Sequence, residues 1–376
     1  MEKVIPRFGI GGNGVIFFFV TLAIALVTWW VFADPKWAIV NAYPFPFLFV
    51  AVWLILSIAW FAFNFELSLF TWVPERQPLR GVIITAFSFL LVYVAYLVLN
   101  VGWGAINPNF SPTSPTGYVL SSFFVLIGFF IWVMVCGLAF GHWPFADAGL
   151  KQPALGLAEW FLGFFLTMVF YLGLVYPALV HPKHALLGFF TMTGWWYSCI
   201  VGMIVVWILW GNWPITKISK NRAVRAIGTG LIAFIVGTIW YFIALRLLKG
   251  WLLPEDIQAQ MAKAAPTLIN YYAAELGVCF NAAALFLFLF FANWPTKFSE
   301  LTNLIIRTII CLVSGIIIFL IFMNGFGVVV LHEQAPTLVV GNWGGDPLNF
   351  MDWWIAIFLV VGVYFGNWPL MKKVEE

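Results

Sequence analysis

Long stretches of the chain are almost wholly apolar, and its polar residues gather in short clusters between them. The apolar runs fall near 15–33, 45–70, 81–103, 119–141, 155–179, 188–211, 226–247, 270–292, 303–326 and 351–366. Most are close to the roughly 20 residues that a helix needs to cross about 30 Å of hydrocarbon. The runs are continuously apolar instead of alternating, which excludes a lipid-spanning β-barrel, and a bilayer accepts no spanning backbone other than helix or closed barrel. The pattern therefore predicts an all-α integral membrane protein with about ten transmembrane helices. No long polar stretch separates the runs, so residues 1–376 read as a single polytopic membrane domain.

A recurring punctuation organises the runs. Trp72-Val73-Pro74, Trp143-Pro144, Trp213-Pro214, Trp294-Pro295 and Trp368-Pro369 each follow an even-numbered run, with the prolines 70 to 81 residues apart. This spacing predicts five tandem helical hairpins, near 15–74, 81–144, 155–214, 226–295 and 303–369. Gly or Asn before the Trp tolerates the left-handed residue that ends a helix, and proline cannot continue one. Tryptophan suits the headgroup level, where its ring is apolar and its N–H wet.

Composition supports the same class. Hydrophobic residues make up 63% of the chain and charged residues 9%, with a mean hydropathy of +0.99. A soluble domain carries about 25% charged residues. The net charge of +3 gives no footprint for nucleic acid. Thirteen of the eighteen Lys and Arg residues fall on the Trp-Pro side; Lys36, Lys183, Arg246, Lys249 and Lys263 make up the rest. By the positive-inside rule both termini are expected in the cytoplasm, with the protein in the cytoplasmic membrane. On the other side, Pro254-Glu255-Asp256 predicts the start of a short interfacial helix. Ala226, Gly230, Ala233 and Gly237 mark a close-packing face on the seventh helix.

Ionisable groups within apolar runs are the candidate chemistry, because each is costly there unless paired or hydrated. Counted along the helices, Glu66, Glu159 and Arg307 fall in one layer near the Trp-Pro side, which predicts that Arg307 pairs with one of the two carboxylates. Asn64, Asn281 and Asn324, with Asn100, are candidates to line a polar path. Glu275 and Asp352 lie in the first turns of their helices and read as partners of helix N-termini. His142, His181, His184 and His332 all lie at interfaces or in loops, so no intramembrane cofactor or metal ligand is predicted. Cys136, Cys199, Cys279 and Cys311 read as small buried hydrophobes. No GxSxG, HExxH or Walker A pattern occurs, so catalysis has no sequence signature.

Five hairpins resemble in number the plant slow-anion channels and their bacterial tellurite-resistance relatives, whose motifs do not occur here. The leading functional expectation is a small-solute channel or secondary transporter. The alternatives are a non-catalytic membrane subunit of a respiratory, photosynthetic or transport complex, and an enzyme acting on lipid-linked substrates. The expected partners are the bilayer itself and either further copies of the chain or other membrane subunits.

Overall fold

Ten helices long and apolar enough to cross a membrane run through the structure, a computed structural model that describes residues 4–137, 140–334 and 338–373. They are α1 (Gly9–Phe32), α2 (Phe45–Asn64), α3 (Leu79–Ile106), α4 (Gly117–Met134), α5 (Ala154–Val180), α6 (Phe189–Leu209), α7 (Arg222–Leu252), α8 (Leu268–Phe291), α9 (Glu300–Val330) and α10 (Pro347–Tyr364). Helices make up 74% of the structure. A further helix, Glu255–Ala264, forms where the Pro254 signal places it.

Burial sorts the ten into two sets. The even-numbered helices are 67–89% buried and the odd-numbered ones 22–33%. The buried set closes a ring, with α2 on α4, α4 on α6, α6 on α8, α8 on α10 and α10 back on α2. The odd-numbered helices fill the outer grooves. Helix α3 packs on α10 and α2, α5 on α2 and α4, α7 on the end of α4 and on α6, α9 on α6 and α8, and α1 on α8 and α10. Their outer faces carry exposed apolar side chains such as Phe19, Phe165, Phe242 and Ile309, as a lipid-facing shell requires.

Small residues set the closest approaches. A Cβ on Gly237 would sit 2.4 Å from Cys199 Cα, and one on Gly202 would sit 2.2 Å from the Ala233 carbonyl oxygen. Helices α6 and α7 therefore touch backbone to backbone, which lets dispersion contacts and helix dipoles act at short range. Ala226, Ala233 and Gly237 are buried in that interface and Gly230 is half-buried. Cys199, Cys279 and Cys311 are buried free thiols; the Cys136 side chain lies outside the described residues.

The same turn ends each ring helix. Two successive residues take positive φ: Glu66 and Leu67, Gly141 and His142, Gly211 and Asn212, Ala292 and Asn293, Gly366 and Asn367. In four of these turns the second residue's N–H reaches back to a carbonyl six residues earlier, as from Leu67 to Phe61 at 2.7 Å and from Asn212 to Val206 at 2.8 Å. In the last four turns a Trp and a cis proline follow. This geometry corrects the alignment of the first unit. Its turn is Glu66-Leu67 and not Trp72-Val73-Pro74, and α2 ends at Asn64, so Glu66 lies in a turn and not within a helix. The asparagine of one turn also holds its neighbour, with Asn293 Nδ2 donating to the Ile208 carbonyl at 2.9 Å. The chain ends meet at this Trp-Pro end, where Val4–Pro6 pairs antiparallel with Met371–Lys373.

Candidate functional site

The ring helices line a cavity of about 70 Å³, with walls from all five of them. That volume holds on the order of five waters, at roughly 10–15 Å³ each by the same measure. Most of the wall is apolar, including Ile55, Phe129, Ile204, Leu285 and Ile355, and five polar side chains interrupt it: Ser122, Thr193, Tyr197, Asn281 and Asp352. Asp352 is placed by the first turns of α10, which starts at Pro347 with Asp346 as its N-cap. The Tyr197 hydroxyl on α6 donates to Asp352 Oδ1 at 3.0 Å, and the Asn281 amide on α8 hydrogen-bonds the same hydroxyl. Thr193 is satisfied by its own helix, donating to the Phe189 carbonyl at 2.8 Å. Asn281 Oδ1 and Ser122 Oγ have no protein partner. Both residues are only 3% exposed, so the cavity is what these atoms face.

A second layer of carboxyls lies farther from the Trp-Pro end. Asp346 precedes Asp352 by six residues, about 9 Å of helix rise. Glu333, from the α9–α10 connection, accepts the Asp346 backbone N–H, and Glu275 on α8 accepts the Leu348 N–H at 3.0 Å. The Glu275 and Asp346 carboxyls lie within hydrogen-bonding reach of each other. Two carboxylates at that separation repel when both are charged. Glu275 Oε1, Glu333 Oε1 and Asn349 Oδ1 have no donor. Among the described residues no lysine or arginine pairs with Glu275, Glu333, Asp346 or Asp352; the Lys and Arg ion pairs go to Glu75, Asp147 and Glu300. Burial pushes Glu333 well above the usual carboxylate range, helped by the nearby Asp346 charge. Burial also raises Asp346 to about 6, against the opposing pull of its hydrogen bonds.

The residues singled out from the sequence divide into several places. Glu66, Asn64 and Glu159 come together near the Trp-Pro end, and the residue that joins them is His142. His142 Nδ1 lies 2.9 Å from Glu159 Oε1 and its Nε2 lies 3.1 Å from Glu66 Oε1. Asn64 Nδ2 donates to Glu159 Oε2 at 3.1 Å. The hydrogen bond to Glu159 raises the His142 pKa, against the opposing effect of burial, and Glu66 adds to the rise. Arg307 is not their partner. Its guanidinium donates to the Pro295 carbonyl at 2.7 and 3.1 Å, because the turn after α8 brings that oxygen closer than either carboxylate. Asn324 is exposed and bonds its own helix at the Leu320 carbonyl, so it lines no path. Asn100 serves the local fold, donating to the Phe110 carbonyl and accepting from Ser121. Asn281 alone of the predicted set faces the cavity.

Sequence reasoning passed over the carboxyl layer. Glu275 lies seven residues past Leu268, the start of α8, and so beyond its first turn, and the N–H it accepts belongs to α10 and not to its own helix. Glu333 and Asp346 stand among loop residues with no sequence mark of burial, yet both are 1% exposed. The available signal was the count of acids beside an apolar run, with no basic residue near them from His332 to Asp352.

Among the described residues no group of three or more His, Cys, Asp or Glu side chains is arranged to hold a metal ion. Comparisons of the chain with protein-family models, curated proteins and solved structures return no match.

Proposed function

We propose that the protein is a channel or secondary transporter for a small solute, with its path along the axis of the five-helix ring. One observation carries this reading. The cavity receives polar groups from several ring helices, and two of them have no protein partner. An unsatisfied buried polar group costs about 1–3 kcal/mol. A solute or water column supplies the missing partners.

Toward the Trp-Pro end the cavity has an apolar floor. Ile204 lies seven residues beyond Tyr197, Leu285 four beyond Asn281 and Ile355 three beyond Asp352, all in that direction and all lining the cavity. Passage then needs this apolar floor to open, as in an alternating-access or gated pathway. In this reading the five hairpins act as parallel units about one axis, and both termini lie in the cytoplasm of a cell with the protein in its cytoplasmic membrane.

The test is stopped-flow permeation in proteoliposomes with a panel of neutral, anionic and cationic solutes. At least one should cross faster than through protein-free vesicles, and Leu285→Trp, which fills the floor, should slow it. Equal permeation of every solute with and without protein overturns the reading.

A second reading, a membrane subunit of a larger assembly, draws on a different feature. An apolar groove of about 520 Å³ runs between α1, α3 and α10, lined by Phe17, Phe89, Trp353, Phe365 and Trp368 among others. Stable co-purifying polypeptides seated along it would favour that reading over transport.

A further inference from the structure

We infer that the ring cavity is a binding site for a small primary alkylammonium ion, with Asp352 as its counter-ion and Asn281 and Ser122 as its hydrogen-bond acceptors. This inference rests on the transport reading and names its substrate class.

Charge is the first argument. Asp352 lines the cavity, and Glu275, Glu333 and Asp346 lie beyond it toward the end opposite the Trp-Pro turns. All four are buried, and no lysine or arginine among the described residues pairs with them. An anion would be desolvated beside carboxyls with no basic group to receive it, so the site disfavours anions strongly. A cation gains from the same arrangement, because it brings the charge that the Asp352 carboxylate lacks a partner for.

Hydrogen-bond polarity is the second. The Tyr197 hydroxyl is already committed, since it donates to Asp352 and is bonded by the Asn281 amide. What remains facing the cavity is an acceptor, Asn281 Oδ1, a hydroxyl, Ser122 Oγ, and the carboxylate itself. A primary ammonium head carries three N–H donors and no acceptor. Three acceptors match the three donors of the ammonium head.

Size and wall chemistry are the third. Room for about five waters is room for about five non-hydrogen atoms, so ammonium, methylammonium and short homologues fit. The remaining wall is mostly Ile, Leu, Val and Phe, which suits an alkyl tail. A bare hard cation fits worse, since such ions take six or more oxygen ligands and this cavity offers about four.

The experiment is saturable binding of radiolabelled methylammonium to the purified full-length protein in detergent, paired with proteoliposome flux of methylammonium, urea and formate. Binding should be displaced by ammonium and ethylammonium and not by urea or formate. Asp352→Asn should weaken it by about ten- to a hundredfold, the range for losing a charged hydrogen bond. Ser122→Ala should weaken it by roughly two- to tenfold, the range for a neutral one. Glu75→Gln, on the exposed surface, should leave it unchanged. Melting curves establish that each variant is folded, and Ser122→Ala keeps the test decisive if Asp352→Asn does not fold. If urea or formate crosses and methylammonium neither binds nor crosses, the substrate class is wrong and the transport reading stands. If methylammonium crosses but folded Asp352→Asn and Ser122→Ala match wild type, the site assignment is wrong. If no solute crosses and methylammonium does not bind, both the inference and the transport reading fall; if it binds with the expected variant losses but no solute crosses, the site stands and the transport reading falls.

Discussion

Replacing His142 with alanine tests how the Trp-Pro end is held together. The Glu159 side chain is fully buried, and its donors are His142 at 2.9 Å and Asn64 at 3.1 Å. Removing the imidazole leaves a buried carboxylate with one neutral donor. Breaking a fully buried charge pair costs about 3–5 kcal/mol. The His142 side chain is 20% exposed, so water can enter the gap and the expected loss is nearer 2–3 kcal/mol. The other arm adds little, because the Glu66 side chain is 59% exposed and an exposed pair is worth about 0–1 kcal/mol. Glu66→Gln should therefore cost under about 0.5 kcal/mol. Both ring nitrogens face carboxylates, and only imidazolium donates from both. The folded pKa of His142 lies above its unfolded value of about 6.5. Its stabilisation is thus fully present below that unfolded value and is lost as pH rises through the folded one. Thermal unfolding in detergent, followed by tryptophan fluorescence across this range, should show wild type losing stability with pH where His142→Ala does not. Equal pH slopes for the two, or a Glu66→Gln loss as large as that of His142→Ala, would refute the reasoning.

Three further outcomes follow from the packing and charge described above. Gly237→Ala places a Cβ 2.4 Å from Cys199 Cα and should cost about 1–3 kcal/mol or more in the same melting assay, whereas Gly173→Ala, with open space around it, should be neutral or slightly stabilising. Asp346→Asn keeps an N-cap side chain but removes a carboxyl whose pKa rises to about 6 on folding. The raised value means folding takes up a proton, so wild-type stability should fall as pH rises from about 4 to 6, and the variant's profile should be flatter there. Asn293→Ala removes the tie to the Ile208 carbonyl and should cost about 1 kcal/mol, and hydrogen exchange should show a faster-opening α6 end if the tie holds it.

The ten helices were legible because run length against bilayer thickness is a strong constraint, independent of packing. Which helices face inward was written more faintly, since each shell helix is more apolar than the ring helix after it, in most pairs by only a small margin. A finer signal did exist in α9. Ile305, Ile309, Val313, Ile317 and Ile321 recur every four residues and all are exposed to the lipid side, whereas ring helices place Ser, Asn, Tyr and Asp at buried positions. Glu66 was misplaced because the first unit lacks the Trp-Pro that marks the other four, and its turn comes six residues before Trp72. The Arg307 pairing failed because helical counting gives depth without azimuth. Equal depth did not bring the residues to the same side of the ring. Glu333 and Asp346 were hidden for another reason: burial of a loop depends on what folds over it, and no local pattern encodes that.

The seating of α1 carries a consequence for how the chain is made. This helix is synthesised before the others, yet it packs on α8 and α10. Its Trp29 indole donates to the Leu331 carbonyl, and its Thr21 hydroxyl accepts from the Trp354 indole. Until the last fifth of the chain has been inserted, those groups wait in the bilayer without their final partners, and the ring stays open between α2 and α8. Such long-range closure is slow compared with local pairing and leaves the early helices exposed to wrong partners. A lesion in the last helix is therefore felt by the first.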